Sequence, residues 1–144
     1  MKLIKKETLK MSKKIIISYH FINEHNLISW KMSGNVNAAK IIASVDEAVN
    51  HKNYILGMNA FIDCRGMSTS WNIDDIYNIS LEVKYILNKL KDKVKVAALF
   101  DSNTQYYMGK VYSAYSKTTQ ADFSPFKKME VAKKWLGLDP DTDL

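Results

Sequence analysis

The chain has 144 residues, 47% of them hydrophobic and 25% charged, enough for one domain that buries roughly 70% of its unfolded surface; this composition excludes collagen-like, low-complexity and wholly disordered classes. Its longest apolar runs, such as Val96 to Phe100, are far too short to cross a bilayer, and the basic amino terminus lacks the apolar stretch and cleavage site of a secretory signal, so a cytoplasmic address is expected. Of the net charge of +6, residues 1–14 carry +5 from six lysines against Glu7, which argues for a solvated basic tail and against nucleic acid as a partner.

That tail, residues 1–14, is expected to precede a single domain over 15–138 and a short acidic end over 139–144. Met11 ahead of Ser12-Lys13-Lys14 also reads as a second translation start, with residues 1–10 as an extension. The folded part opens with Ile15 to Phe21, rich in β-branched and aromatic residues, then the polar Asn23-Glu24-His25-Asn26, then Leu27 to Met32. Two such runs around a short turn-forming connection predict a β-hairpin. Ser33-Gly34-Asn35 is expected to break the second strand, and Asn35 or Asn37 to cap a helix whose Ala38, Ile41, Ile42, Val45, Ala48 and Val49 recur at helical spacing on one face.

A third strand is predicted over Met58 to Asp63, and a helix from about Asp74 to Lys91. Asp74 and Asp75 suit its positive first turn, Lys89 and Lys91 its last, and Ile76, Ile79, Val83, Ile86, Leu87 and Leu90 form its buried stripe. Lys95 to Phe100 reads as an interior strand ending at Asp101-Ser102-Asn103, where the next helix can be capped. That helix, Thr104 to Lys117, sets Met108, Val111, Tyr112 and Tyr115 on one side. Phe123 to Met129 carries Pro125, which suits an edge strand, and Glu130 to Leu136 forms a final helix stopped by Gly137 and Pro140. The fold class is therefore α/β: a single mixed sheet of four or five strands in the order β-β-α-β-α-β-α-β-α, with helices mainly on one face.

Chemistry is harder to find than structure. A single cysteine, Cys64, excludes an intrachain disulfide and a Cys/Cys metal pair, and His20, His25 and His51 show no metal-ligand spacing. Arg65 beside Cys64 raises the question of a thiolate, but no base partners it in the sequence. The five glycines assemble neither a phosphate loop nor a dinucleotide fingerprint. No cofactor, metal or catalytic group is expected. Open α/β sheets bind ligands at the carboxyl ends of their strands. If the strands ending at Asp63 and Phe100 are neighbours, Asp63, Arg65, Asp101, Ser102 and Asn103 form one rim, joined by Tyr106 or Tyr107 from the following helix.

The element order, together with Lys31-Met32-Ser33-Gly34, Phe61-Ile62-Asp63-Cys64-Arg65-Gly66, Val94 to Phe100, Tyr107-Met108-Gly109-Lys110-Val111-Tyr112 and Glu130-Val131-Ala132-Lys133-Lys134-Trp135-Leu136, resembles the SpoIIAA-like group of the STAS superfamily over residues 15 to 138. The resemblance implies a four- or five-stranded mixed sheet with helices mainly on one face and no common activity; taken with the absence of catalytic groups, it points to a bacterial-type regulatory or protein-interaction domain that is not an enzyme. Antagonists in that group present a phosphorylatable serine in an Asp-Ser-x-Gly-like turn; the chain has Ser68-Thr69-Ser70-Trp71 there, which leaves Ser68 and Ser70 as phosphosite candidates without the flanking motif.

Two functions are therefore expected in parallel. One is a non-enzymatic regulatory or interaction module, acting on a protein partner or a second copy of itself through an exposed helix face. The other is a small carrier of an apolar ligand or lipid, motivated by seven Met, eight Tyr, five Phe and three Trp in a short chain.

Overall fold

The computed structural model describes residues 14–88, 90 and 92–144. A hairpin opens the fold: β1 (Ile16–Ile22) and β2 (Leu27–Asn35) pair antiparallel around a 3-10 turn at Asn23–His25, closed by Asn26 in the left-handed region at φ 50°. Then follow α1 (Ala38–Val49), β3 (Asn59–Asp63), a two-residue β4 (Met67–Ser68), α2 (Ile73–Leu87), β5 (Val94–Leu99), α3 (Asn103–Tyr115), β6 (Ala121–Phe126) and α4 (Met129–Trp135). The sheet runs β1-β2-β3-β5-β6, parallel from β2 onward, with β4 added beside the end of β2.

Strand alternation divides the core in two. On one face Ile28, Trp30, Met32, Ala60, Cys64, Ala98 and Phe100 meet Ile41 and Val45 of α1 and Tyr106 of α3, and α2 turns Ile76, Ile79 and Val83 inward. On the other, Leu27, Phe61, Ala97 and Leu99 are covered by Ala132 and Trp135 of α4, with Leu138 and Leu144 packed against them. Three helices on one face and one short helix on the other is the α/β arrangement expected of the sequence, and Pro125 lies on the edge strand β6, where a missing N–H does no harm.

Side-chain caps explain three of the four helix starts. Asn37 caps α1 by accepting from the Lys40 N–H at 2.9 Å, and Asn72 and Asp75 form a capping box that starts α2 one residue before Asp74. Ser102 caps α3 through the Gln105 N–H at 3.1 Å.

Several boundaries differ from the sequence reading. The second strand does not break at Ser33 but runs to Asn35, because Gly34 takes φ +82° and its N–H donates to the Gly66 carbonyl, bringing Met67 and Ser68 alongside as β4. A side chain at Gly34 would meet the Lys14 carbonyl oxygen at 2.5 Å. The strand expected over Phe123 to Met129 lies earlier, at Ala121–Phe126. The third helix buries Gln105, Gly109 and Tyr112 on its sheet side, whereas Tyr115 turns outward to meet the Tyr77 ring at 5.2 Å. Gly109 permits that approach: a Cβ there would lie 2.8 Å from the Phe100 ring. The second helix ends at Leu87, with Leu90 buried beyond it; Lys89 and Lys91 lie outside the described residues, as do residues 1–13 of the basic tail.

Candidate ligand cavity and strand-end rim

Parallel pairing of Asp63 with Leu99 places the ends of β3 and β5 side by side. The Cys64 N–H donates to the Leu99 carbonyl at 2.8 Å and the Gly66 N–H to Asp101 Oδ2 at 3.0 Å, so the turn after β3 is stitched to the turn after β5. Asp63 is the centre of this rim. Its Oδ1 accepts from the Arg65 backbone N–H at 3.1 Å and from Arg65 Nε at 2.9 Å, while Oδ2 accepts from Arg65 Nη2 at 2.9 Å and Lys31 Nζ at 3.3 Å. Burial by itself would raise the Asp63 carboxyl, but the hydrogen bonds and charge of Arg65, helped by Lys31, hold it below the usual carboxylate range. The Arg65 guanidinium is pushed up in turn, mainly by its hydrogen bonds to Asp63.

The other rim residues are also engaged. Ser102 Oγ is occupied as the α3 cap, Lys127 Nζ donates to Asn103 Oδ1, and the ammonium groups of Lys127 and Lys110 lie 5.0 and 5.4 Å from the centre of the Tyr106 ring. Tyr107, 64% exposed, points away. The structure thus gathers Asp63, Arg65 and Asp101 into one network and leaves Tyr107 outside it. These carboxylates serve as acceptors for backbone, guanidinium and ammonium donors.

Cys64 faces the helix side of the sheet, and burial, followed by the Asp63 charge, pushes its thiol far above its ordinary range, the reverse of what a nucleophilic thiolate needs. His51 is a packing residue: its ring lies 5.0 Å from Phe21 and its Nδ1 accepts the Asn53 N–H. Ser68 and Ser70 are exposed, with Ser68 at an open groove beside Lys14, Ser33 and Gly34. The first-turn N–H of Asp75 is already taken by Asn72, and the Asn72 N–H by Asp75. Among the described residues no group of three or more His, Cys, Asp or Glu side chains is placed to hold a metal ion, and no helix is long and apolar enough to cross a membrane.

A second site lies under the helices. Between the sheet and α1, α2 and α3 is a cavity of about 180 Å³, floored by Trp30, Ala60, Ile62 and Ala98 and roofed by Val45, Ile79, Val83 and Met108. Trp71 and Met58, from the loops before α2 and β3, also line it. No charged side chain contributes; the residues of its wall that carry a polar group are Gln105, Tyr54, Tyr112, Cys64, Trp30 and Trp71, and burial raises the pKa of both tyrosines. Thr69 Oγ1 sits 3.5 Å from Gln105 Oε1, which holds that amide at the margin. An apolar cavity of about 150 Å³ in another protein stays dry and takes benzene, so this one has room for an aromatic ring or a short alkyl group.

The residues of this wall were visible in the sequence as core positions, but nothing in their periodicity marked a void. No protein-family model matches the chain, and no curated protein sequence matches it.

Proposed function

We propose that the chain is a non-enzymatic, STAS-type binding domain that holds a small apolar ligand between its sheet and α1–α3. What supports this reading is the cavity: at ~24 cal/mol per Å³, an empty space of about 180 Å³ costs about 4 kcal/mol, a large share of the 5–15 kcal/mol that stabilises an ordinary domain. A ligand that fills the space recovers much of that cost, and the uncharged wall selects for apolar groups, with Gln105 able to orient one polar substituent. Its single cysteine fits a cytoplasmic site of action.

Native mass spectrometry of protein freshly purified from its own host tests the reading. Retained mass of an extractable apolar compound is the expected result. A bare chain whose melting temperature does not rise with saturating toluene counts against it.

A second reading, as a protein-interaction module, is favoured by a different observation: α2 carries a row of exposed apolar side chains, Ile73, Tyr77, Leu81 and Tyr85, along its outer side.

A further inference from the structure

An amphipathic helix on a sheet has one apolar face, and α2 has that face in Ile76, Ile79 and Val83. It also has another. Ile73, Tyr77, Leu81 and Tyr85 are 54%, 45%, 46% and 81% exposed and stand four residues apart, so they form one continuous ridge about 18 Å long. Tyr115 of α3, 37% exposed, extends it sideways through its contact with Tyr77. A surface helix with four large apolar side chains in a single outward row needs a covering partner.

The ridge is self-complementary. A two-fold axis through the level of residue 79 sets Tyr77 opposite Leu81 of a second copy and Ile73 opposite Tyr85, so each large ring meets an aliphatic side chain. The antiparallel arrangement is also favoured by charge. The first turn of α2 carries Asp74 and Asp75, while at its far end Lys84, hydrogen-bonded to Thr118, and the neighbouring Lys117 outweigh Glu82. An antiparallel pair therefore brings acidic end to basic end, and opposes the two helix dipoles. The ridge with Tyr115 leaves on the order of 500 Å² of side chain uncovered, so two copies bury about 1,000 Å², the lower bound for a specific interface.

We propose that two copies of this chain associate through the outer ridge of α2, packed antiparallel on a two-fold axis. This inference rests on the interaction-module reading and is independent of the cavity. Sedimentation velocity from micromolar to millimolar protein should show a reversible monomer–dimer equilibrium. Leu81→Glu should weaken it by more than about 100-fold, since each copy loses a buried leucine and gains a buried charge, while the melting temperature at dilute, monomeric concentration stays unchanged. In living cells, Tyr85→benzoylphenylalanine should cross-link on irradiation to a second copy at the peptide containing Ile73. A wild-type chain that stays monomeric, or a dimer that Leu81→Glu leaves intact, overturns the proposal. A discrete cross-link from position 85 to another protein overturns self-association and keeps the interaction reading. A monomer with no protein cross-link, or with lipid alone, removes both.

Discussion

Ala98→Leu puts the cavity to a direct test. Ala98 lies one residue from the end of β5, paired between Ile62 of β3 and Pro125 of β6, 1% exposed and on the cavity floor. Leucine adds three carbons there. If the space is open, burying them stabilises the ligand-free protein by up to about 2 kcal/mol at ~0.8 kcal/mol per methylene. If the space is filled by its own side chains, the same substitution overpacks the core and costs about 1–3 kcal/mol. The two cases differ in sign, so uncertainty in magnitude does not blur them. Urea denaturation with a common slope gives the stability change, and a thermal melt should move up by about 3–4 °C per kcal/mol. The variant should also lose the rise in melting temperature that toluene gives the wild type. A variant destabilised by 1 kcal/mol or more that still responds to toluene like the wild type would mean that the space beside Ala98 is already filled.

Three further outcomes follow from the same structure. Gly109→Ala gains about 1 kcal/mol of helix propensity but drives a methyl to within 2.8 Å of the Phe100 ring and 3.0 Å of Pro125, so a net loss of about 1–2 kcal/mol is expected by denaturant titration. Asp63→Asn removes the charge that accepts from Lys31 and Arg65; with both cations about half-exposed, we expect a cost of about 1–2 kcal/mol at pH 7. Because the folded-state value of Asp63 is depressed, its contribution is fully present above the unfolded value of about 3.9 and disappears as the pH falls through the folded value; the Asn variant and the wild type should converge in stability in that acid range. Cys64 should react with iodoacetamide at pH 7.5 well over tenfold more slowly in the folded protein than in denaturant, and equal rates would contradict its burial.

How much of this was legible in the chain depends on the kind of information each feature carries. The parallel strands were readable because Phe61-Ile62-Asp63 and Val96 to Phe100 are apolar runs bounded by polar turns, and Pro125 marked the edge. The strand β4 was not, since two residues make no period; it exists because Gly34 can hold a positive φ and continue β2 past the expected break. The adjacency of Asp63 and Asp101 followed from neighbouring strand ends, but the hydrogen bonds they accept depend on the bidentate reach of Arg65 and on the N–H of Gly66, which no spacing encodes.

The helix α2 shows the limit most clearly. Its inward stripe was read from Ile76, Ile79 and Val83, and a search for one apolar face stops once that face is found. Ile73, Tyr77, Leu81 and Tyr85 were equally visible at four-residue spacing, and counting both rows would have marked a helix apolar on two sides. The cavity is of another kind. It is a difference between the volume the backbone encloses and the volume the side chains fill, with Ala48, Ala60, Ala98, Ala121 and Gly109 among its walls, and a hydrophobic pattern reports neither quantity.

The central claim is that the interior accepts an apolar ligand, and the most direct measurement is a crystal of the protein soaked with toluene. Density for one ring is expected between Trp30 and Ile62 of the sheet and Ile79 and Met108 of the helices, with the backbone unmoved. Side chains of Met58 and Met108 found occupying that space, with toluene absent from it, would contradict the claim.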